Sequence, residues 1–293
     1  MPILVDHQLQ EQIPRDILAF PVSFYSDELA DLPNRAGPMH WHPYFEIATA
    51  QSSVLDCQVG QAHTMLEPGD SIFITPNMLH GIRQVSGVEP DPLPIMIFSG
   101  TVIAPENSAI YQKYIQPILA LPFVVFRHDS DLWKDVRQQI HAMHCAMREQ
   151  PDCYELMVQR NICHVLEAIF RNFDALPKTE ASRVQLNVQV RLQKMLSYIY
   201  KHYAQTVTLA DIAGAANISR SEAGRCFQSY LGYSPVEALI QYRLQTAQRL
   251  LQQTTLTLQE VSSACGFHSV NYFSRQFRTR YGYSPGKRRE LGK

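Results

Sequence analysis

The sequence predicts an α+β protein of two domains. A β-barrel or sandwich over residues 1 to about 128 is followed by two helices over about 131 to 173, and an all-α domain over 188 to 293 holds two helix-turn-helix units. Three observations lead there. Short β-type runs separated by Pro, Gly, Asn and Asp fill the first part of the chain. Near Asp131 the apolar period changes to the i, i+3, i+4, i+7 spacing of amphipathic helices. Further on, the stretch from 207 to 235 is repeated from 256 to 285, and each copy ends in Tyr-Ser-Pro, at Tyr233-Ser234-Pro235 and Tyr283-Ser284-Pro285.

The β-type runs are 45–50, 54–59, 71–75, 93–98 and 123–126. Their even spacing and turn residues fit a closed or stacked antiparallel architecture. The segments LWKDVRQQIHAMHCAMREQ and CYELMVQRNICHVLEAIFRNF then read as two helices broken at Pro151. Each has an apolar stripe that needs a partner, either the β-structure or the same helices of a second copy. The segment 174–187, DALPKTEASRVQLN, contains Pro and small polar residues and is the expected linker. From 188 onward seven helices are expected: one at 188–203, two in each repeat, one at about 235–252, and a short one after Pro285.

Composition bounds the function. At 293 residues the chain can bury two separate cores. Hydrophobic content is 45% and charged content 18%. No apolar run reaches the roughly 18 residues of a membrane span. The opening MPILVDHQLQEQ has neither the basic start nor the apolar core of a signal peptide, so a cytoplasmic location with no membrane partner is expected. The six cysteines include no CxxC pair, and neither a disulfide nor zinc is assigned. The net charge of -1 hides a division: residues 188–293 carry 14 Lys and Arg against 5 Asp and Glu, whereas residues 1–187 carry 12 against 22. A basic module of this kind predicts a polyanionic partner.

Each repeat opens on a Thr suited to capping a helix, Thr208 or Thr257. Apolar positions follow at Leu209, Ile212 and Ala213, or Leu258, Val261 and Ser262, and the chain turns at Asn217 or Gly266. The second helix carries Arg225 or Arg275 two residues before a core-type Phe, Phe227 or Phe277, and closes on Gly232 or Gly282. A short helix, a tight turn and a second helix with basic and polar residues is the arrangement that offers a recognition helix to the DNA major groove.

The segments TLADIAGAANIS, RCFQSYLGYSP, YRLQTAQRLLQ and TLQEVSSACGFHSVNYFSRQFRTRYGYSP resemble the AraC-type transcriptional regulators over about 100 residues. The second half follows the family signature most closely, through Gly266-Phe267, Tyr272-Phe273-Ser274-Arg275, Phe277 and Gly282-Tyr283-Ser284-Pro285. The resemblance implies two recognition helices entering successive major grooves. It places Ser221, Gly224 and Arg225 of the first, and Asn271, Tyr272 and Arg275 of the second, against bases, with Ser219 and Arg220 near phosphate. The chemistry suits those roles, because Arg pairs bidentately with guanine, Asn with adenine, and helix N-termini favour phosphate. The first helix departs from the pattern at Ala223, where Leu is usual, and at Gly224, which has no side chain for readout.

The stretch His40-Trp41-His42-Pro43-Tyr44-Phe45-Glu46, with Glu67-Pro68-Gly69-Asp70 and Pro76-Asn77-Met78-Leu79-His80 after it, looks like a cupin β-barrel. Alternate residues His40 and His42 point to one face of a strand, and with Glu46 and His80 they form a three-His, one-carboxylate set of metal-ligand type. No metal or other cofactor is assigned from this pattern alone. Arg35, Trp41, His42, Glu46, His80 and Arg83 are the expected lining of an effector site for a hydroxylated or anionic small molecule. The resemblances together imply a cytoplasmic, sequence-specific regulator rather than an enzyme. Its expected partners are double-stranded promoter DNA, a small-molecule effector of which a sugar is one class, a second copy of itself as homodimer, and RNA polymerase if it activates. The alternative from another class is a metal-dependent cupin enzyme carrying a DNA-binding domain.

Overall fold

The computed structural model describes residues 5–6, 9–11, 20–29, 35–86, 92–176 and 180–290, arranged as two compact units, Met1–Gln189 and Val190–Lys293. The first is sheet-rich and the second helical. The first unit has eight described strands: β1 (Val22–Glu28), β2 (Phe45–Thr49), β3 (Val54–Val59), β4 (Ala62–Leu66), β5 (Ser71–Ile74), β6 (His80–Ser86), β7 (Pro92–Phe98) and β8 (Phe123–Phe126). They lie in two antiparallel sheets, one ordered β1-β7-β2-β5-β8 and the other β4-β3-β6.

Three layers follow from which residues face which way. The inner faces of both sheets share one apolar core: Ala48, Ile72, Ile74, Ile95 and Ile97 from the larger sheet meet Leu55, Cys57, Val59, Leu66 and Ile82 from the smaller. The opposite face of the larger sheet, with Phe45, Ile47, Phe73, Met96, Phe98 and Phe126, is covered by the helices α1 (Lys134–Glu149) and α2 (Tyr154–Arg171). Val136, Ile140 and Met143 of α1 and Val158, Ile162, Val165 and Ile169 of α2 pack there. The larger sheet is thus buried on both faces, which is why β5 is buried at every position and reads as a continuous apolar run. The apolar stripes of both helices find their partner within the chain.

The strands β1, β4 and β6 were not among the expected runs, and all three are edge strands. In β4 and β6 one face looks outward, so their polar residues dilute the apolar signal. The helix break at Pro151 is as expected, with Gln150 and Cys153 both taking left-handed backbone conformations around it. Part of the expected linker is helical: α3 spans Glu180–His202, so it begins before the expected start at 188. Glu180, Ala181, Arg183 and Gln185 are adequate helix formers, and the only Pro in the segment precedes them. Residues 177–179 lie outside the described residues.

The second unit continues with α4 (Leu209–Ala215), α5 (Arg220–Leu231), α6 (Pro235–Gln253), α7 (Leu258–Ala264), α8 (Val270–Tyr281) and α9 (Pro285–Glu290). Helix α6 links the two repeats, and its Leu244, Ala247 and Leu251 form a core with Val261, Cys265, Phe267, Phe273 and Phe277 of the second repeat. Among the described residues of the chain, no helix is long and apolar enough to cross a membrane.

Candidate functional site: two recognition helices and a buried histidine cluster

The repeats fold alike because they cap alike. Thr208 accepts from the Asp211 N–H at 3.2 Å while its own N–H donates to the Asp211 carboxylate at 2.8 Å; Thr257 and Glu260 repeat the exchange at 3.2 and 2.7 Å. Ser219 caps α5 through the Glu222 N–H, and Ser269 caps α8 through the Tyr272 N–H. Each such cap contributes about 1 kcal/mol to a helix only two or three turns long. Both second helices end on a glycine in the left-handed region, Gly232 and Gly282.

What each second helix hides determines what it shows. Helix α5 buries Ala223, Cys226, Phe227 and Tyr230, and α8 buries Phe273 and Phe277. That leaves Ser219, Arg220, Ser221 and Arg225 exposed on α5 and its cap, and Asn271, Tyr272 and Arg275 exposed on α8. Gly224 is half-buried, and a Cβ built on it meets nothing within 4 Å. The Arg275 guanidinium lies over the Tyr272 ring, 5.5 Å from its centroid. All eight expected contact positions are therefore on the two recognition helices or their caps, none of them in the core. Arg278, Thr279 and Arg280 extend the exposed basic surface of α8.

Two further residues, Arg191 and Arg243, hold these helices. Arg191 of α3 donates to the Glu222 carboxylate at 2.6 Å, tying α3 to the first turn of α5. Arg243 of α6 donates to the backbone carbonyls of Tyr203 and Gln205, both at 2.8 Å, and its guanidinium stands over Phe267, 5.7 Å from the ring centroid. Burial lowers its pKa. No local spacing signals these partners, which lie 31 to 40 positions away along the chain.

In the first unit the histidines and Glu46 meet between the sheets. His40 and His80 pair through reciprocal backbone hydrogen bonds of 2.8 Å, and Glu46 points inward from β2 with Ile74 and Ile97 as cross-strand neighbours. His40, His42, Glu46 and His80 are all buried, and one ligand atom from each lies within 4.8 Å of the others. The Nδ1 atoms of His40, His42 and His80 sit 2.9, 3.1 and 2.8 Å from the carbonyls of Pro38, Tyr44 and Met78. A carbonyl only accepts, so each Nδ1 carries the proton and each Nε2 turns inward.

His42 Nε2 and His80 Nε2 then face the same Glu46 oxygen at 3.0 and 3.1 Å. A neutral ring in that tautomer would set a lone pair against a carboxylate, so a second proton or a cation must stand between them. Burial lowers the pKa of His40 to about 3 and also lowers that of His42. For His80, burial acts downward, but the Glu46 charge and hydrogen bond outweigh it and raise the pKa. Burial likewise works against the Glu46 carboxylate, yet the charge of His80 and the bonds from both rings hold its pKa well below the ordinary range. Three imidazole nitrogens and one carboxylate, with tautomers fixed by outer carbonyls, fit a divalent first-row transition ion.

The other expected effector residues do not join this group. Arg83 sits on the outward face of β6 and donates to Asp56 at 2.9 Å, because the two-residue alternation that turns His80 and Ile82 inward turns Arg83 outward. Arg35 is exposed. Trp41 is half-buried, and its backbone pairs with residues 9–11. Glu11, which no sequence pattern singled out, reaches His40 Nε2 at 3.7 Å.

Residues 212–290 match the family described as a helix-turn-helix domain. An uncharacterized HTH-type transcriptional regulator of Bacillus subtilis, YdeC, is 24% identical over 96% of this chain and 96% of its own. The HTH-type transcriptional activator RhaS of Klebsiella pneumoniae is 22% identical over 87% of this chain and 88% of its own. The solved AraC-type DNA-binding-domain regulator from Chromobacterium violaceum is 30% identical, with 36% of this chain and 96% of that one covered at a TM-score of 0.35. Nothing in these relatives supports the enzyme alternative. With two capped helix-turn-helix units and transcriptional regulators matched along nearly its whole length, this chain is a DNA-binding transcriptional regulator whose helix-turn-helix domain lies at residues 212–290.

Proposed function

We propose that the chain reads promoter DNA with α5 and α8 and is switched by a small molecule taken up at the histidine cluster of a cupin-type first domain. The observation that carries this reading is the burial of His40, His42, Glu46 and His80 together in an otherwise apolar interior. Groups so costly to desolvate have no role in packing that an aliphatic side chain would not serve better. Residues 1–173 are the effector-binding and dimerisation domain, joined through 174–187 to the DNA-binding domain. Exposed Leu156 on α2, whose inner face already covers the sheet, and exposed Leu132 in the turn before α1 support a homodimer. A sugar is the effector class that the family resemblance suggests, and the activator name of the Klebsiella relative favours activation, with RNA polymerase as partner, in the cytoplasm.

On DNA, Asn271, Tyr272 and Arg275 read bases from α8, and Ser221 and Arg225 read them from α5, about one helical turn apart. Ser219 and Arg220 contact phosphate at the α5 N-terminus. Gly224 reads nothing, so α8 carries the greater share of discrimination.

The test is binding of the purified chain to its own upstream DNA at several salt concentrations, with and without a panel of sugars and metal ions. The logarithm of affinity should fall with the logarithm of salt at a slope of about -0.9 per phosphate neutralised. One compound should shift specific affinity about 5- to 150-fold, the range of ordinary allosteric coupling. Specific binding indifferent to every compound would count against the sensor reading, and a flat salt response would count against the basic surface.

A further inference from the structure

Glu11 is placed where it can close on the histidine cluster. Its N–H donates to the Trp41 carbonyl at 3.0 Å and the Trp41 N–H donates to the Leu9 carbonyl at 2.9 Å, so residues 9–11 lie alongside the segment that carries His40 and His42. The Gln10–Trp41 bridge is parallel, and Gln10 is held in turn by the Asp6 carboxylate at 2.9 Å. This fixes the backbone but leaves the Glu11 carboxylate oxygen 3.7 Å from His40 Nε2, beyond hydrogen-bond distance, with both side chains nearly buried.

We propose that Glu11 is a cation-dependent clasp: when His40, His42, Glu46 and His80 hold a divalent transition-metal ion, Glu11 turns in as the second carboxylate and fastens residues 9–11 over the site. Charge balance supports this role. The three backbone carbonyls hold the proton on each Nδ1, and an ion bound at the Nε2 atoms excludes a second proton there, so the ligating imidazoles are neutral and add no charge. Glu46 alone would leave a dication with one uncompensated positive charge in a buried site, and Glu11 supplies the missing negative charge. An interior tolerates an ion only when its charge is matched nearby. Closure also has a mechanical consequence, because the Glu11 amide is the group that pairs with Trp41.

The inference rests on the reading of the cluster as the ligand site of the first domain. Its test uses the full chain stripped with a chelator and titrated with Zn²⁺ or Mn²⁺, following bound metal per chain and hydrogen exchange of the residue 9–11 amides. One equivalent should bind, and it should slow exchange in that segment. His80→Ala should abolish binding. Glu11→Gln, nearly the same size, should still bind but about 10- to 100-fold more weakly, the usual effect of losing a supporting group around a metal, and should lose the exchange protection. Absence of stoichiometric binding overturns the proposal, as does Glu11→Gln behaving like the parent chain in both readouts. Tight binding with the clasp intact but no change in DNA affinity would uphold it while counting against the effector reading, so the two failures are distinguishable.

Discussion

Gly266 packs against the backbone at Tyr203 so closely that a Cβ at this position would collide with the Tyr203 carbonyl oxygen and come within 3.0 Å of the Ala204 carbonyl carbon. Its φ of +75° is also one that other residues adopt reluctantly. The same carbonyl accepts from Arg243. Gly266→Ala should therefore destabilise the DNA-binding domain by about 1 to 3 kcal/mol, the usual cost of forced overpacking. Asn217, its counterpart in the first repeat, has a φ of +55°. Asn217→Gly should change stability by only a few tenths of a kcal/mol, because Asn tolerates that region. Thermal unfolding of the two variants checks the contrast.

Gly224 offers the opposite case. It lies within α5, its φ is not among the positive ones, and an added Cβ meets nothing within 4 Å. Gly224→Ala should stabilise the domain by up to about 1 kcal/mol through helix propensity. Affinity for the operator then reports on the DNA side. An unchanged affinity places no DNA near the α5 backbone, whereas a loss beside the stability gain means that the methyl group meets DNA.

Arg275→Ala should cost about 1 to 3 kcal/mol of specific DNA affinity and leave binding to random DNA nearly intact, as expected for a bidentate base contact. Equal loss on both would make Arg275 a phosphate contact instead. Because its guanidinium lies over Tyr272, Tyr272→Ala should also weaken specific binding, and the double variant should lose less than the sum of the two.

His144, buried in α1 beside Phe24, has its pKa lowered from 6.5 to about 4, mainly by burial and then by the charges of His141 and Arg148. The unfolded chain therefore binds a proton that the folded chain refuses between those values. The sign follows: His144 leaves stability untouched above about pH 6.5 and erodes it as pH falls toward 4, by on the order of 3 kcal/mol at most. His144 Nε2 has no hydrogen-bond partner among the described residues, so His144→Leu loses nothing polar. That variant should match the parent chain or exceed it at pH 7 and be clearly more stable at pH 4.5, measured by denaturant unfolding. A parallel pH dependence in both chains would show that other groups govern the acid limb.

Much of the helical half was legible because its determinants are local. Thr208, Thr257, Ser219, Ser234 and Ser269 each cap a helix using a residue three positions on. Core positions such as Phe227 and Phe277 repeat with the period of the helix. The exposure of Arg225, Asn271 and Arg275 follows once the buried stripe is known. The edge strands β1, β4 and β6 were not legible, because they carry polar residues that the central strand β5 excludes, whereas the edge strand β8, Phe-Val-Val-Phe, was legible from its apolar run.

The histidine cluster divides along the same line. The spacing of His40, His42 and Glu46 marked them as a group, although only Glu46 lies in a strand and a bend at 43–44 separates it from the two histidines. Whether Arg83 or Glu11 belonged with them was settled by tertiary structure: Arg83 lies opposite Asp56 on the outer face, and Glu11 arrives because residues 9–11 lie alongside Trp41. Sequence alone determined the periodic helices, their caps and the faces they expose, because those depend on neighbours within one or two turns. Tertiary structure decided which charges converge, since electrostatic partners from distant segments are chosen by the packing that brings those segments together.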